Sequence, residues 1–500
     1  MADVRTPDAG GGHGMLLDVL HAQASRRGDR VFLRHEDRTV TYAAFERLAN
    51  RAAHALLADG VRKGDRVTLA LGNSVEYVIA AYGVLKAGAI LNPVNPALGA
   101  DELRYILGHA EPRVVVTDDA SDARIAALGV RTVAATALAE GPSDAHPPVV
   151  IGADDPSTLL YTSGTTGRPK GVLFTHGRTG TSGPHFIHAL GLVPEDVILA
   201  VTPLFHGNAW GAITTAVYLG GTAAFPRTFS GSAFWPLVHE VGATVLYTLG
   251  TVLAMLLTRE ASELERHNPL RIILGLGSAP IRERVIARFG VADVLECFGS
   301  TDAGVVTITP RGKPPRAGSC GPAVPGVRIE VRDDDGRALP PRQVGEIAVW
   351  SPARMAAYFR DPDATAQSLR DGWFLSGDLG FLDEDGWLFF VDRKRDVIRR
   401  GGENVSSVLV EKVLREHPLV TDAAVIGVPD PVLGQEIKAF VVASAPLAEE
   451  ELRAFAAERL ARFQVPRLWE FRDALPKTPT QRVEKYKLRQ EQGGGGPLLG

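Results

Sequence analysis

The chain has 500 residues, of which 45% are hydrophobic and 22% charged, and its formal net charge is −4. This length exceeds what one hydrophobic core normally organises, so we expect at least two domains. The slightly acidic balance argues against a nucleic-acid-binding protein. The two cysteines are too few for a disulfide framework or a cysteine-rich metal cluster, and they fit a reducing cytoplasmic environment.

The ends of the chain and its apolar runs indicate no membrane segment. The N-terminus lacks the basic segment and apolar core of a signal peptide. The longest apolar run, at 243–257, is shorter than the roughly 20 residues that a membrane span requires. It is typical of a buried strand followed by a helix. The glycine-rich ends, residues 1–14 and 491–500, are expected to be disordered.

Helical and strand-like patterns alternate along much of the chain. They alternate over residues 15–110 and again over 196–291, which predicts an α/β architecture with largely parallel sheets. Residues 318–392 are rich in strand and turn signals and predict a β-rich subdomain.

A charged segment, "VDRKRDVIRRGGENVSS", separates this part from a compact α+β pattern. We therefore predict a large N-terminal domain at 15–393 and a small, mobile C-terminal domain at 394–490.

The stretch "YTSGTTGRPKGV" at 161–172 combines glycines, a dense row of hydroxyl and amide donors, and Lys170. Donors around a concavity with a cation at its mouth suit a polyphosphate. The spacing does not match the Walker phosphate loop. A surface linker is the alternative, but apolar segments on both sides of the stretch favour the phosphate-binding interpretation.

Several further segments, in order, resemble the adenylate-forming superfamily of acyl-CoA synthetases, peptide-synthetase adenylation domains and luciferases. They are "PLFHGNAW" (203–210), "GLGSAP" (275–280), "ECFGSTD" (296–302), "GWFLSGDLG" (372–380) and "DRKRDVIRRGGENVSS". The resemblance covers roughly residues 28–490 and is greatest to crotonobetaine/carnitine-CoA ligase-like members.

The resemblance implies a reaction in two halves. A small carboxylic acid attacks the α-phosphate of Mg²⁺-bound ATP to give an acyl-adenylate and pyrophosphate. A thiol, most often that of coenzyme A, then displaces AMP after the C-terminal domain has rotated. The implied protein is cytoplasmic, a monomer or homodimer, without a nucleic-acid partner or a membrane span.

The resemblance also implies a role for each matching residue. ATP would be bound by Thr162, Ser163, Gly164, Thr165, Thr166, Gly167, Lys170, Gly277, Ser278, Ala279, Cys297, Phe298, Gly299, Ser300, Thr301, Asp378 and Arg393. Lys170, His206, Asp302 and Arg482 would be catalytic, and Thr165 and Asp302 would hold the metal ion. The acid pocket would contain Phe205, His206, Trp210, Tyr247, Gly250 and Gly275. Arg395 would be the hinge, and Gly401, Gly402 and Glu403 would line the thiol tunnel.

Some of these residues have simpler interpretations when taken alone. His206 beside Phe205 would be a core or turn histidine, and Asp378 would be a turn residue. The charge run around Arg395 would be a solvated face. Their occurrence together with the phosphate loop favours the functional interpretation.

Two positions depart from the family pattern. Asp302 stands where the family has glutamate, and Arg482 stands where it has a lysine that contacts the carboxylate and the α-phosphate. Arginine keeps the charge but has a planar head. Lys485 and Lys487 lie nearby, off the motif register.

Two other functions therefore stay open. One is a specialised adenylating enzyme of secondary metabolism, such as a diazotase that activates nitrite for attack by an arylamine. The other is a nucleotide- or acyl-binding module without turnover.

Overall fold

The computed structural model describes residues 14–118, 123–162, 169–394, 396–400, 403–478 and 483–492. The chain forms two compact units. Unit 1 comprises Met1–Arg328 and Val349–Phe374, and unit 2 comprises Ile329–Ala348 and Leu375–Gly500. The domain boundary at residue 394 stays a prediction. The expected disorder of the two ends concerns residues that are almost all outside the described ones.

Helices occur throughout both units, and their bounds follow the apolar periodicity of the sequence. They are α1 (Leu16–Arg26), α2 (Tyr42–Ala58), α3 (Val75–Lys86), α4 (Ala100–Ala110), α5 (Ala123–Ala126), α6 (Ala135–Leu138), α7 (Ser182–Leu190), α8 (Gly207–Leu219), α9 (Phe234–Glu240), α10 (Gly250–Leu257), α11 (Glu263–Arg266), α12 (Arg282–Phe289), α13 (Pro362–Ser368), α14 (Ser407–Arg415), α15 (Glu449–Ala457) and α16 (Lys485–Glu491). Among the described residues, no helix is both long enough and apolar enough to cross a lipid bilayer.

The strands are as follows, in chain order: β1 (Val31–His35), β2 (Arg38–Thr41), β3 (Arg66–Ala70), β4 (Ile90–Pro93), β5 (Val114–Thr117), β6 (Thr132–Ala134), β7 (Pro156–Thr162), β8 (Lys170–Thr175), β9 (Val197–Ala200), β10 (Thr222–Ala224), β11 (Val245–Leu249), β12 (Ile272–Leu276), β13 (Asp293–Ser300), β14 (Gly304–Ile308), β15 (Gly321–Pro322), β16 (Arg328–Arg332), β17 (Gly345–Trp350), β18 (Ala357–Tyr358), β19 (Leu369–Arg370), β20 (Trp373–Leu382), β21 (Trp387–Arg393), β22 (Ile398–Arg400), β23 (Glu403–Val405), β24 (Val420–Asp430), β25 (Gly434–Ala443) and β26 (Leu468–Phe471).

Unit 1 contains two mixed sheets. The first has the order β14-β13-β12-β11-β9-β10-β1-β2, in which the interior pairs from β13 to β1 are parallel and the edge pairs β13–β14 and β1–β2 are antiparallel. Strand β9 is apolar and fully buried, as expected for a parallel strand covered by helices on both faces. The second sheet has the order β18-β8-β7-β4-β3-β5-β6. It carries the antiparallel pair β7–β8, which positions the candidate phosphate loop.

Unit 2 contains strands of two sheets. Strands β21, β20, β17 and β16 lie side by side, and β23-β22-β25-β24 form the second sheet with β26 parallel to β25. Helices α14 and α15 pack on this second sheet around a core that includes Val410, Leu414, Val425 and Leu452. The predicted α/β class, the β-rich segment and the α+β pattern near the C-terminus are thereby confirmed.

Candidate active site

The candidate phosphate loop connects two antiparallel strands. Thr162, the last residue of β7, is paired with Lys170, the first residue of β8. The two residues therefore face each other where the hairpin opens. The other predicted loop residues, Ser163, Gly164, Thr165, Thr166 and Gly167, lie outside the described residues.

Lys170 and Asp302 are linked through Tyr358. The Lys170 Nζ lies 4.9 Å from the centre of the Tyr358 ring, and the Tyr358 hydroxyl donates a 2.7 Å hydrogen bond to Asp302 Oδ1. Burial, followed by the negative charge of Asp302, raises the pKa of Tyr358, so its hydroxyl keeps its proton and acts as a donor. A cation at the ring face and an oriented carboxylate at the hydroxyl thus both contact one tyrosine.

This pair fits a polyphosphate accompanied by a hard metal ion. The ammonium group of Lys170 attracts phosphate oxygens, and the carboxylate of Asp302 is the type of ligand that Mg²⁺ prefers. The Asp302 main chain is also held, because its carbonyl accepts from Met355 N at 2.7 Å. The shorter aspartate side chain therefore occupies a defined position and not a loose one.

Tyr358 is not among the residues predicted from the sequence. This residue lies on the two-residue strand β18, where it pairs with Val172 of β8. Val172 is two positions after Lys170, so the strand pairing brings the tyrosine ring beside the lysine. Nothing in the local sequence around Tyr358 signals this contact.

The turn formed by Gly277, Ser278 and Ala279 is held by one buried carboxylate, that of Glu296. Glu296 Oε1 accepts from Gly277 N at 2.6 Å, and Oε2 accepts from Ala279 N at 2.7 Å and from Ser278 Oγ at 3.2 Å. Burial raises the pKa of Glu296 to about 7, although the three donors act in the opposite direction. Gly277 has a φ of +77°, which a residue with a Cβ adopts at a cost.

Glu296 is the second residue that the sequence argument missed. It is the first letter of the segment "ECFGSTD", and it lies on β13 beside β12, whose end leads into the turn. The available signal was a glutamate in the middle of β13, directly after the buried apolar pair Val294 and Leu295.

We expect Glu296→Gln to destabilise unit 1. The amide would place an N–H₂ group opposite a backbone N–H donor, and an unsatisfied buried donor costs about 1–3 kcal/mol. The melting temperature at neutral pH should fall, whereas Glu283→Gln, whose side chain is 94% exposed, should leave it unchanged.

The same variant should also flatten the dependence of stability on pH. The folded protein holds the Glu296 proton up to about pH 7, whereas the ordinary pKa is 4.5, so the stability it contributes is complete below pH 4.5 and lost as the pH rises through 7. Melting curves of the two proteins between pH 5 and 8 check this. Parallel curves would show that Glu296 does not titrate in this range.

The glycines predicted to line the acid pocket contact the same turn. A Cβ at Gly250 would lie 2.1 Å from Gly277 O, and a Cβ at Gly275 would lie 2.7 Å from the Cβ of Ser278. Both positions therefore require glycine for close packing of the turn. Their role in the acid pocket stays a prediction.

Strand β13 carries the next predicted group of nucleotide-binding residues. Cys297, Phe298, Gly299 and Ser300 lie on this strand, and Thr301 follows it. A Cβ at Gly299 would lie 2.4 Å from Gly304 O, so glycine permits the close β13–β14 pairing. Strand β13 therefore leads directly from these residues to Asp302.

His206 is the N-cap residue of α8 and follows Phe205, and both residues are partly buried. The two rings are 4.7 Å apart, centre to centre. Burial lowers the pKa of His206 to about 4, so the imidazole is neutral at physiological pH. In the described part of the chain, its buried Nε2 has no hydrogen-bond partner. This nitrogen is available to a polar group of a ligand.

The other two predicted wall residues occupy different environments. Trp210, one turn further along α8, packs against Tyr82 at 5.6 Å between ring centres. Tyr247, on β11, is 1% exposed and packs against Phe186 of α7 at 5.1 Å. Their role as walls of the acid pocket stays a prediction.

In unit 2, Asp378 and Arg393 are directly paired across β20 and β21. Arg393 Nε lies 3.1 Å from Asp378 Oδ1, and Asp378 is 3% exposed. The Ser376 hydroxyl donates to Ile347 O and accepts from Asp378 N, which holds this part of β20 in place. The two predicted nucleotide-binding residues of this unit are thus held as one ion pair.

The remaining predicted residues fall mostly outside the described part of the chain. This applies to the hinge residue Arg395, to Gly401 and Gly402, and to Arg482. Glu403 is described; it begins β23, pairs with Arg400 and is exposed.

The two lysines near Arg482 are both engaged with carboxylates. Lys485 Nζ lies 2.6 Å from Glu411 Oε1 and donates to Ser407 Oγ at 2.7 Å. Lys487 Nζ lies 2.6 Å from Glu484 Oε2. Without Lys485, Glu411 would keep its 3.4 Å contact with Arg415 and the hydrogen bond from Val425 N.

Comparison with known proteins gives the family. The model of the AMP-binding enzyme family matches residues 20–359, and that of the AMP-binding enzyme C-terminal domain matches residues 409–482. The chain is 33% identical over 483 residues to a crotonobetaine/carnitine–CoA ligase of Citrobacter koseri, covering 90% of this chain and 93% of the relative. It is 35% identical over 488 residues to the fatty acid–acyl-carrier-protein ligase ScoC of Streptomyces coeruleorubidus, covering 92% and 93%.

A solved structure agrees with these relatives. ATP-bound MatB from Rhodopseudomonas palustris has a TM-score of 0.88 and 30% sequence identity, and the match covers 95% of this chain and 98% of that one. The resemblance inferred from the sequence motifs is confirmed, and so is the prediction of an AMP-forming ligase. The chain belongs to the family of AMP-binding enzymes, the adenylate-forming ligases.

Proposed function

We propose that the protein activates a small carboxylic acid with ATP and then transfers the acyl group to a thiol, with coenzyme A as the favoured acceptor. The observation that carries this proposal is the arrangement of Lys170, Tyr358 and Asp302 at the mouth of the β7–β8 hairpin. It combines a phosphate-binding cation with a carboxylate that suits a magnesium ion.

In the first half-reaction, a carboxylate oxygen of the acid attacks the α-phosphorus of ATP. The bond from that phosphorus to the bridging oxygen breaks, and pyrophosphate leaves with the electron pair. Lys170 stabilises the charge that develops on the leaving group. Asp302, together with Thr165, would hold Mg²⁺, which supplies further positive charge against the phosphate oxygens.

No general base is required for this step, because the acid is already ionised at neutral pH. His206 is neutral, so it does not compete with Lys170 for the phosphate oxygens. Its Nε2 is proposed to position the acid by a hydrogen bond. The nearby Phe205 and Trp210 would contact the acyl group and favour an apolar acid, aliphatic or aromatic.

In the second half-reaction, a thiolate attacks the acyl carbon, the acyl–phosphate bond breaks, and AMP leaves. Arg395 is proposed as the hinge for the conformational step between the halves. The segment Gly401–Glu403 is proposed to admit the thiol.

Asp378 is proposed to bind the ribose hydroxyls of ATP. Asp378→Asn keeps the side-chain shape but replaces one acceptor oxygen with a donor. Saturating ATP at 100 times its dissociation constant stabilises a protein by about 2.7 kcal/mol, and we expect the variant to lose most of the corresponding rise in melting temperature. Asp335→Asn, with a side chain that is 68% exposed, is the matched control and should keep the full rise. An undiminished rise in Asp378→Asn would exclude the ribose role.

The acceptor is tested with the purified protein, ATP, Mg²⁺ and a panel of short, medium and aromatic acids. Pyrophosphate is measured first, and then AMP release is measured with coenzyme A, with a pantetheinylated carrier protein, or with nitrite and an arylamine. We expect acid-dependent pyrophosphate and AMP release that depends on coenzyme A. Release with the carrier protein alone would reassign the acceptor. Dependence on nitrite would indicate a diazotase, and no pyrophosphate with any substrate would indicate a binding module.

A further inference from the structure

Two histidines and a glutamate converge on the surface of unit 1, away from every motif discussed above in the sequence. They are His21 on α1, Glu46 on α2, and His146 in the segment that follows α6. One ligand atom from each residue lies within 4.8 Å of the others. The His21 and His146 rings are 5.9 Å apart and nearly perpendicular.

The spacing of the first two ligand atoms fits a shared tetrahedral ion. His21 Nδ1 lies 3.3 Å from Glu46 Oε1, which is long for a hydrogen bond between these groups. Two ligand atoms that each lie about 2.0–2.2 Å from a tetrahedral zinc ion are about 3.3–3.5 Å apart. The third ligand, His146, is exposed and can approach by rotation of its side chain.

Glu46 has the properties of a fixed metal ligand. It is 8% exposed, and the buried Lys86 Nζ donates to its Oε1 at 2.8 Å. Its second oxygen, Oε2, is buried and has no hydrogen-bond partner in the described part of the chain. Carboxylates that bind metals are commonly held by a second hydrogen bond, and here the bond from Lys86 fixes the carboxylate whose Oε1 faces His21.

We propose that His21, Glu46 and His146 bind a divalent transition-metal ion, with Zn²⁺ as the reference ion. Two imidazoles and one carboxylate are typical zinc ligands and leave a fourth position for water. Mg²⁺ is not expected here, because it prefers an oxygen-only shell. The bound ion would join α1 and the segment around His146 to α2.

The ammonium of Lys86 is expected to lower the affinity of this site for a cation. It already neutralises part of the Glu46 charge, so the two imidazoles must provide much of the binding energy. Removing both imidazoles should therefore weaken Zn²⁺ binding by at least about tenfold. Glu46 itself is a poor target, because its loss would leave Lys86 buried without a counter-ion.

The test uses the full chain without an affinity tag. Zn²⁺ binding is measured by calorimetry for the parent protein, for the double variant His21→Ala/His146→Ala, and for His267→Ala as an exposed histidine control. Co²⁺ titration adds a spectroscopic measurement, because tetrahedral Co²⁺ with imidazole ligands absorbs far more strongly than octahedral Co²⁺.

We expect one site per chain with a tetrahedral Co²⁺ spectrum in the parent and in His267→Ala. The double variant should lose that spectrum and bind Zn²⁺ at least about tenfold more weakly. Equal stoichiometry and affinity in the double variant would overturn the proposal. So would an octahedral Co²⁺ spectrum in the parent, since it would show that the imidazoles do not coordinate the ion. The double variant should retain ATP-dependent activity, because the proposed metal site is separate from the ATP site.

Discussion

Lys170→Ala is expected to lower the rate of acid-dependent pyrophosphate release by about 100- to 1,000-fold, the range found when one preorganised charge stabiliser is removed from an active site. The ammonium is needed while negative charge builds on the departing pyrophosphate. Each factor of ten corresponds to about 1.4 kcal/mol of transition-state stabilisation. Lys170 is the first residue of β8, and its side chain contacts the face of the Tyr358 ring. The strand pairing uses its backbone, so the fold should not depend on the side chain.

The matched control for this prediction is Lys313→Ala. Lys313 is an exposed lysine of the same unit, and its removal changes the net charge by the same amount. Its turnover should equal that of the parent. Parent-like pyrophosphate release by a soluble Lys170→Ala protein would remove Lys170 from the phosphate site.

Arg482→Ala is expected to reduce adenylation by about 100-fold or more while sparing the transfer of a preformed acyl-adenylate to the thiol. Its charge is needed only while the acid and the α-phosphate approach each other. Lys485 and Lys487 are each engaged by a carboxylate, so we expect Arg482, which lies outside the described residues, to take this role. Single-turnover assays with ATP and acid, and separately with synthetic acyl-adenylate and thiol, measure the two halves.

Two further variants make this prediction specific. Lys487→Ala removes a cation that is 45% exposed at its side chain, and it should leave both half-reactions unchanged. Arg482→Lys restores the residue of the family pattern and should support acyl-CoA formation if the natural arginine is a tolerated exchange. Equal loss of both half-reactions in Arg482→Ala would contradict a role confined to adenylation.

The general fold was predictable because its signals are local. Alternating apolar periodicities specified the parallel strands and their helices, and the strand-and-turn pattern of residues 318–392 marked the β-rich part. The apolar segments on both sides of the candidate phosphate loop were visible in the sequence, and the structure shows them as the antiparallel strands β7 and β8.

The contacts that orient the site were not predictable, because they depend on the pairing of distant segments. Tyr358 reaches Lys170 only through the short β18–β8 pairing, and Glu296 reaches the 277–279 turn only because β12 and β13 are neighbours. The close packing of Gly250 against the 277–279 turn likewise depends on segments that are distant in the sequence.

The most direct test of the account is the exchange of radiolabelled pyrophosphate into ATP, measured with the acid panel and without any thiol. Reversible formation of an acyl-adenylate predicts exchange that requires both the acid and Mg²⁺ and that falls with Lys170→Ala and Arg482→Ala. Exchange that does not depend on the acid would contradict acyl-adenylate formation. So would its complete absence with every acid in a protein whose melting temperature still rises with ATP.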